Sequence, residues 1–485
     1  MKGRALLRVL PLLVLLLAPG CATNPVTGGT DFVLMSEDQE IALGRKLHPQ
    51  ILKQMPAYED PALARYVRSV GERLAETSHR PGLIYRFTVL DSPDVNAFAL
   101  PGGYIYVTRG ILAYLNSEAE LAAVLGHEIG HVTARHSVRQ YTTATTTSLL
   151  GAVIAGATGV RAAGDLASIA GTAIVRGYGR KHELEADRLG AEYLARNGYD
   201  PRAMLRVIGV LKDQEAFERE RAKEEGREPR VYHGLFATHP DNDRRLQEVI
   251  AAAGRLGTGP ARDGRDTYLD AIEGLVFGDS EREGVRRGNR FYHLALDFAL
   301  TFPPGWRIDN LPDRLVARTP KGDGMLQFTM TDLNKRIPPR QFMIRRLGLR
   351  DLRYGEAIRL GELEGYTAIA EVNTAKGRLP LRHVVLYRGD KALVFTGGAD
   401  RSADPFRYDA DILRTVRSFH ALSPEERGLA RAQRIHVIRA TAGTRFADLA
   451  RNSPIPDHPE AQLRLINGYY PGGEPRPGER IKIVR

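Results

Sequence analysis

The stretch that most constrains this chain is residues 119–135, which read AELAAVLGHEIGHVTAR. Its centre is the pentapeptide HEIGH, in which His127 and His131 are four residues apart. On an α-helix, residues four apart lie one turn apart on the same face, so the two imidazoles can bind one metal ion. Glu128 follows the first histidine and can reach a metal-bound water without being a ligand itself. The pattern therefore predicts a metal site on a helix.

The surroundings of the motif favour this interpretation over two ordinary packed or surface histidines. Ser117 and Glu120 predict a capping box at the start of the helix, and apolar Leu121, Val124 and Leu125 precede the motif. Imidazoles in such an apolar helix would be costly to bury without partners. A metal ion would supply that partner.

A third ligand is expected from residues 182–188, which read HELEADR. Glu183 and Asp187 are again four apart, on a second helix that should end near Asn197. Glu183 can complete a site of two histidines and one glutamate, which leaves one position open for water, and Asp187 can hold a histidine ring by a hydrogen bond. Without HEIGH, the same run would indicate a solvated acidic helix face. His136 is expected to point away from the ligand face and to be a poor ligand.

HEIGH followed by ELEADR resembles the zinc metallopeptidase family that contains the CaaX prenyl endopeptidases, the HtpX heat-shock peptidases and the BepA-type periplasmic proteases, which are gluzincins. The resemblance covers roughly residues 21–254. It implies that Glu128 is the general base of a metalloendopeptidase with one Zn²⁺ per chain. Asp187 corresponds to the aspartate that the family carries four residues after its ligand glutamate. The zinc ligands that the resemblance implies are His127, His131 and Glu183.

Residues 238–245, THPDNDRR, resemble a further segment of that family, T-H-P-x-x-x-x-R. In the family this histidine can approach the zinc and block the site. The resemblance implies that His239 is a reversible fourth ligand with a regulatory role. The alternative is an ordinary loop histidine near the start of a helix.

Residues 1–20 predict a secretion signal, since basic residues precede a short apolar run and then small residues. The run is too short for an ordinary membrane span. Cys21, the only cysteine, follows directly, which predicts lipidation at the new amino terminus. Ala22 in the next position favours outer-membrane sorting, so we expect an outer-membrane lipoprotein in the periplasm of a Gram-negative bacterium. Ordinary cleavage, which would leave an unanchored protein, is the alternative.

The net charge is +11, and the sequence shows no long uninterrupted run of basic residues. Nucleic acid is therefore not expected as a partner of an exported chain. Attraction to anionic lipid, lipopolysaccharide or acidic client segments is compatible with the composition.

The predicted fold class is α+β, with three units after the signal. Residues 21–255 are expected to form a mostly helical, zincin-type catalytic domain with a small sheet. A linker leads to an α+β accessory domain at residues 266–421, for which an interaction role is the default. Residues 433–485 resemble a LysM module of βααβ order, which can carry the fold with or without binding peptidoglycan.

Two segments beside the predicted site have open interpretations. Residues 96–103, NAFALPGG, match a run common in the family, where a strand could align an extended peptide through its backbone; an ordinary core hairpin fits as well. The apolar residues 149–160 could form a helical flap beside the cleft or a buried alanine-rich helical pair.

The motifs together predict a zinc-dependent endopeptidase of the cell envelope that cleaves misfolded or stalled exported proteins. Two alternatives come from other classes of protein. One is a chaperone-like factor of outer-membrane assembly whose zinc site is silenced. The other is a lipoprotein that binds peptidoglycan through its carboxy-terminal module.

Overall fold

The computed structural model describes residues 21–143, 179–224, 261–311, 313–374, 377–399 and 406–485. The described residues form a mixed arrangement of helices and small sheets, which confirms the predicted α+β class. The chain divides into two compact units, of which one is Met1–Phe277 with Arg434–Arg485 and the other is Gly278–Gln433. The predicted boundaries differ from this division. The first unit runs past the expected linker, and it includes the carboxy-terminal segment that was expected to be a separate module.

Two helices of the first unit begin at side chains that cap them. Ser36 and Gln39 form a complete capping box, and the Asp60 carboxylate accepts hydrogen bonds from the backbone amides of Ala62 and Leu63. In the described ranges before the carboxy-terminal segment, the helices of this unit are α1 Glu37–Gln54, α2 Pro61–Glu76, α3 Arg109–Tyr114, α4 Glu118–Thr133, α5 Arg180–Arg196, α6 Ala203–Glu224 and α7 Arg265–Ala271.

A small sheet leads into the helix that carries HEIGH, as predicted. Its strand order is β3-β5-β4, with β3 parallel and β4 antiparallel to β5. The central strand β5 is fully buried and continues directly into α3. A two-stranded hairpin, β1 with β2, precedes α1. The strands are β1 Cys21–Thr23, β2 Thr30–Phe32, β3 Arg86–Leu90, β4 Ala97–Leu100 and β5 Tyr104–Thr108.

Helix α4 is the centre of the first unit, and all of its 16 residues are buried. It packs closely on α5 because the two helices meet at small residues. A Cβ at Gly130 would lie 2.9 Å from the carbonyl oxygen of Ala186, and a Cβ at Gly126 would lie 3.4 Å from the backbone of Gly190. Any larger side chain at Gly130 would push the helices apart and move the two predicted ligand sets away from each other.

Ion pairs made by two buried glutamates fix both ends of α4. At its start, Glu118 accepts hydrogen bonds from the Tyr199 hydroxyl at 2.7 Å and from Arg73 at 3.0 Å. Beyond its end, Glu40 of α1 pairs with Arg80 and Arg135 at 2.9 Å each. These contacts hold the helix against α1 and α2, so the orientation of its histidines is set by the surrounding fold.

The predicted capping box of α4 is only half present. The Ser117 hydroxyl accepts from the backbone amide of Glu120 at 3.2 Å. The Glu120 carboxylate does not return to Ser117 but accepts from the backbone amide of Asn116 at 2.6 Å and from Arg206 of α6 at 2.9 Å. A tertiary ion pair therefore replaces the local contact.

The carboxy-terminal segment has the predicted βααβ order but shares the core of the first unit. Its first strand pairs with the last one and with a short strand, β6 Val276–Phe277, in a three-stranded sheet. The ammonium group of Lys482 is buried and donates to the carbonyl oxygens of Ala113 at 2.8 Å and Leu115 at 2.6 Å, at the end of α3. The resemblance to LysM modules stays a prediction. The segment follows the second unit in the chain, so its labels continue after those of that unit. It comprises β17 Gln433–Arg439, α11 Phe446–Arg451, α12 Pro459–Asn467 and β18 Arg480–Val484.

The second unit is built on a seven-stranded antiparallel sheet of order β10-β11-β12-β16-β15-β14-β13, with a separate three-stranded sheet β7-β8-β9. Its strands are β7 Val285–Arg287, β8 Arg290–His293, β9 Phe298–Thr301, β10 Arg307–Leu311, β11 Arg314–Arg318, β12 Gly324–Asp332, β13 Arg353–Leu360, β14 Leu363–Thr374, β15 Gly377–Arg388 and β16 Lys391–Ala399. Its helices are α8 Pro339–Arg345, α9 Asp409–Arg417 and α10 Pro424–Leu429.

Three predictions fall on residues outside these ranges, namely the signal at 1–20, the flap at 149–160 and His239. Cys21 is the first residue of β1, and its lipidation stays a prediction. Within the described ranges, no helix is both long and apolar enough to cross a membrane.

Candidate metal centre

Helices α4 and α5 bring three side chains together at one point. The Nε2 atoms of His127 and His131 are 3.0 Å apart, and each lies 3.6 Å from an oxygen of the Glu183 carboxylate. The relative exposures of these residues are 5% for His127, 1% for His131 and 0% for Glu183. Glu183 stands in the first turn of α5, so the close packing of the two helices decides this geometry.

These side chains fit a zinc ion. In tetrahedral zinc sites the ligands lie about 2.1 Å from the ion, which places ligand atoms about 3.4 Å from one another. The three ligand atoms lie within 4.8 Å of one another. Two imidazole nitrogens and a carboxylate that face each other in a buried site are the donor set that a divalent cation stabilises. A zinc ion held by these three ligands would keep one coordination position for water.

Asp187 orients the first histidine. Its Oδ1 atom lies 2.8 Å from Nδ1 of His127, and both side chains are buried. A carboxylate only accepts here, so Nδ1 carries the proton and Nε2 directs its lone pair toward His131 and Glu183. The aspartate four residues after Glu183 therefore lies where the sequence pattern predicts.

A different arrangement orients the second histidine. Nδ1 of His131 lies 2.8 Å from Nδ1 of His136, and Nε2 of His136 lies 3.1 Å from Oε2 of Glu185. Arg139 donates to the same Glu185 oxygen at 3.2 Å. When Nε2 of His131 binds a metal, its Nδ1 donates to His136, and His136 in turn donates to Glu185. His131 is thus held through a second histidine rather than directly by a carboxylate.

The protonation states in this chain of hydrogen bonds agree with those roles. Burial lowers the pKa of His136 to about 4, so its neutral ring can accept a hydrogen bond from His131. The hydrogen bond from His136 lowers the pKa of Glu185 to about 2, which keeps it a carboxylate acceptor. Burial also lowers the pKa of His182, whose ring stacks on His136 with centroids 4.3 Å apart.

Sequence reasoning missed His136 and Glu185. His136 is five residues after His131, and on a continuous helix it would point away from the ligand face, as we predicted. The helix instead ends at Thr133, and Arg135 adopts a left-handed conformation with φ of 54°. That turn brings His136 beside His131. No local pattern marks the contact with Glu185, because that side chain is partly exposed and would be stable in water.

Replacing His136 by leucine should weaken zinc binding by roughly 10- to 100-fold, because the Nδ1–H of His131 would lose its acceptor. Asparagine at the same position should restore much of the affinity, since its Oδ1 can replace the ring Nδ1 as an acceptor. Competition with a chromophoric chelator measures this affinity. Equal zinc affinities of the leucine variant and the wild type, with an unchanged melting temperature of the metal-free protein, would contradict the role.

Glu128 lies one residue after His127 and is buried within α4. Its role as general base stays a prediction. His127, Glu128 and His131 share two turns of one helix, so the sequence alone places the acid–base group next to the ligand cluster.

The fold and the site define a class of protein. Two histidines four apart on one buried helix, a glutamate from a second helix and a small sheet before the first helix are the arrangement expected of a metallopeptidase domain. Residues 61–253 match the model for peptidase family M48. This match supports a metallopeptidase domain in these residues and confirms the resemblance seen in the sequence.

Proteins named as proteases are similar to this chain over part of its length. A beta-barrel assembly-enhancing protease of Yersinia pestis is 29% identical over 266 residues, which are 53% of this chain and 52% of that protein. The protein of the same name from Escherichia coli strain K12 is 29% identical over 276 residues, which are 55% of this chain and 54% of that protein. The mitochondrial metalloendopeptidase OMA1 of Arabidopsis thaliana is 40% identical over 138 residues, or 28% of each chain. The chain thus spans about half the length of the first two relatives.

Proposed function

We propose that this protein is a zinc-dependent endopeptidase in which His127, His131 and Glu183 hold the metal. The observation that carries the proposal is the convergence of these three buried ligand atoms next to Glu128. Zinc in such a site polarises a water molecule and the scissile carbonyl, and lowers the pKa of the water toward about 7.

The residues of the chain supply the remaining steps. Glu128 accepts a proton from the attacking water and later passes it to the departing amine. Asp187 and His136 hold the two imidazoles so that each Nε2 faces the metal. His127 and His131 would bind the metal as neutral imidazoles, because each keeps its proton on Nδ1 and donates a hydrogen bond through it to Asp187 or His136.

The small sheet can align the substrate. Among the described residues, β4 pairs with β5 on one side only, and it packs against the helix that carries HEIGH. An extended peptide could add to the other side of β4 through backbone hydrogen bonds, which would present successive peptide bonds to the site. This arrangement suits cleavage of unfolded chains, since a folded protein rarely offers an extended segment.

We propose misfolded or stalled exported proteins as substrates, and the periplasmic side of the outer membrane as the location, with a lipid on Cys21. Support comes from the predicted signal and single cysteine, and from the names of the bacterial relatives, which refer to assembly of β-barrels.

Metal analysis and casein cleavage by the purified protein test this proposal. We expect one zinc per chain, loss of cleavage when a chelator removes the metal, and recovery when zinc is restored. Cleavage that continues in excess chelator, with zinc absent by elemental analysis, would contradict the proposal.

His239→Ala should raise casein cleavage severalfold if His239 reversibly fills the fourth zinc position, because its removal leaves that position open to water. Initial rates at equal zinc content measure the effect. Unchanged or lower activity in a variant with a normal melting temperature would count against a blocking role and in favour of an ordinary loop histidine.

A further inference from the structure

One segment of the second unit is strongly basic. Residues 333–350, which read LNKRIPPRQFMIRRLGLR, contain six cationic side chains and no aspartate or glutamate. We call these residues the basic segment. It carries six positive charges, against a net charge of +11 for the whole chain. Other residues, many of them apolar, separate its cations, so the segment contains no long uninterrupted run of basic residues. Its cations are Lys335, Arg336, Arg340, Arg345, Arg346 and Arg350.

All six of these cations are exposed, and none forms an ion pair with a residue in the described ranges. Many other arginines of the second unit are paired. Arg382 pairs with Asp409 at 2.7 Å, and Arg286 pairs with Asp279 at 2.7 Å. The charge of the basic segment is therefore not neutralised within the described part of the unit, and it creates a positive field at the surface.

The backbone of the basic segment is nevertheless held firmly. Phe342 and Met343 of α8 are buried in an apolar cluster under the sheet, together with Leu349. The Tyr387 hydroxyl donates to the carbonyl oxygen of Ile337 at 2.8 Å. With this inner side fixed, Ile344 lies on the outside of α8 and is 41% exposed among the arginines.

We propose that the basic segment is a docking surface for a membrane that contains anionic phospholipid. Each lysine or arginine near such a surface adds to the attraction by anionic lipid. An exposed isoleucine between cations suits the headgroup region, where an apolar side chain enters the lipid while its neighbours bind phosphate. Single-stranded nucleic acid is less suited, because its bases stack on exposed aromatic rings and the only aromatic residue of the segment, Phe342, is buried.

Co-sedimentation with vesicles tests this proposal without any proteolysis, so its failure and that of the peptidase proposal are distinguishable. The vesicles are phosphatidylethanolamine with about one quarter phosphatidylglycerol, and pure phosphatidylcholine as the neutral comparison. Every sample is the full chain carrying Cys21→Ser, which removes the thiol that could take a lipid. Substitution of Arg340, Arg345 and Arg346 by glutamate should lower binding to the anionic vesicles at least tenfold.

A matched control carries the same change in charge elsewhere in the unit. Arg318, Lys321 and Arg417 are exposed and form no ion pair with described residues, so their substitution by glutamate should reduce binding far less. Melting temperatures of both variants show whether each is folded.

Three results would overturn the proposal. One is an equal loss of binding in the two triple variants. Another is that the wild-type protein binds neutral and anionic vesicles equally well, and that a higher salt concentration does not weaken this binding. The third is binding of an acidic polypeptide or an oligonucleotide through the basic segment without binding to anionic vesicles.

Discussion

Replacing Glu128 by glutamine is expected to lower casein cleavage by about 10³-fold while zinc binding is retained. Glutamine has nearly the same shape as glutamate but cannot accept the proton of the attacking water, and a positioned acid–base group contributes about 10²- to 10⁴-fold to the rate. Glu128 follows His127 on a fully buried helix, so the substitution should not displace the ligands. Initial rates and zinc content, measured on the same preparation, give the two quantities.

Glu192→Gln is the matched control, because it makes the same chemical change on α5 at a partly exposed position that pairs with Arg196. This variant should keep wild-type activity. Full activity of Glu128→Gln at one zinc per chain would contradict the general-base role. If Glu128→Gln loses cleavage but still supports envelope integrity in cells, the chaperone-like alternative accounts for that part of the function.

Removing residues 434–485 is expected to unfold the peptidase domain rather than to release a dispensable module. Buried side chains of this segment, such as Phe446, Leu463 and Ile481, belong to the same apolar core as Leu121 of the helix that carries HEIGH. Loss of a single large buried side chain costs about 2–5 kcal/mol, and a domain has only about 5–15 kcal/mol of stability. The truncated chain should therefore be insoluble or lack a cooperative melting transition.

Lys482→Met tests the same interface by a milder change. Methionine retains most of the apolar stem, but the carbonyl oxygens of Ala113 and Leu115 lose their donor, which should lower the free energy of unfolding by about 1–3 kcal/mol. Denaturant unfolding measures this. A truncated chain that stays soluble, binds zinc and melts like the full protein would show that the segment is an independent module, as expected for a wall-binding LysM domain.

The local elements around the site were predictable because local chemistry specifies them. The Ser36 capping box and the Asp60 cap before Pro61 are set by neighbouring residues, and the small sheet before α4 is present as expected. In the second unit, burial alternates along the first part of β12, and Arg388 and Lys391 close a hairpin between β15 and β16. Each of these features depends on residues close together in the chain.

The contacts that complete the site depend on an irregular turn after α4 and on residues distant in the chain. No local pattern indicates that Arg135 turns the chain so that His136 supports His131, or that Glu185 lies within reach of His136. The capping role expected for Glu120 was partly wrong for the same reason, since Arg206, 86 residues later, binds its carboxylate.

The sequence by itself determined the donor set, because the four-residue periods of HEIGH and ELEAD place two histidines and then a glutamate with an aspartate on helix faces. Only the tertiary structure decided that these faces meet, through the close approach of α4 and α5 at Gly126, Gly130 and Gly190. It also decided that β18 returns to the core of the first unit, where the Lys482 ammonium group donates a hydrogen bond to a carbonyl oxygen at the end of α3. Helical periodicity is a local property, whereas the choice of partner for a buried face depends on the shape and packing of segments that can be hundreds of residues apart.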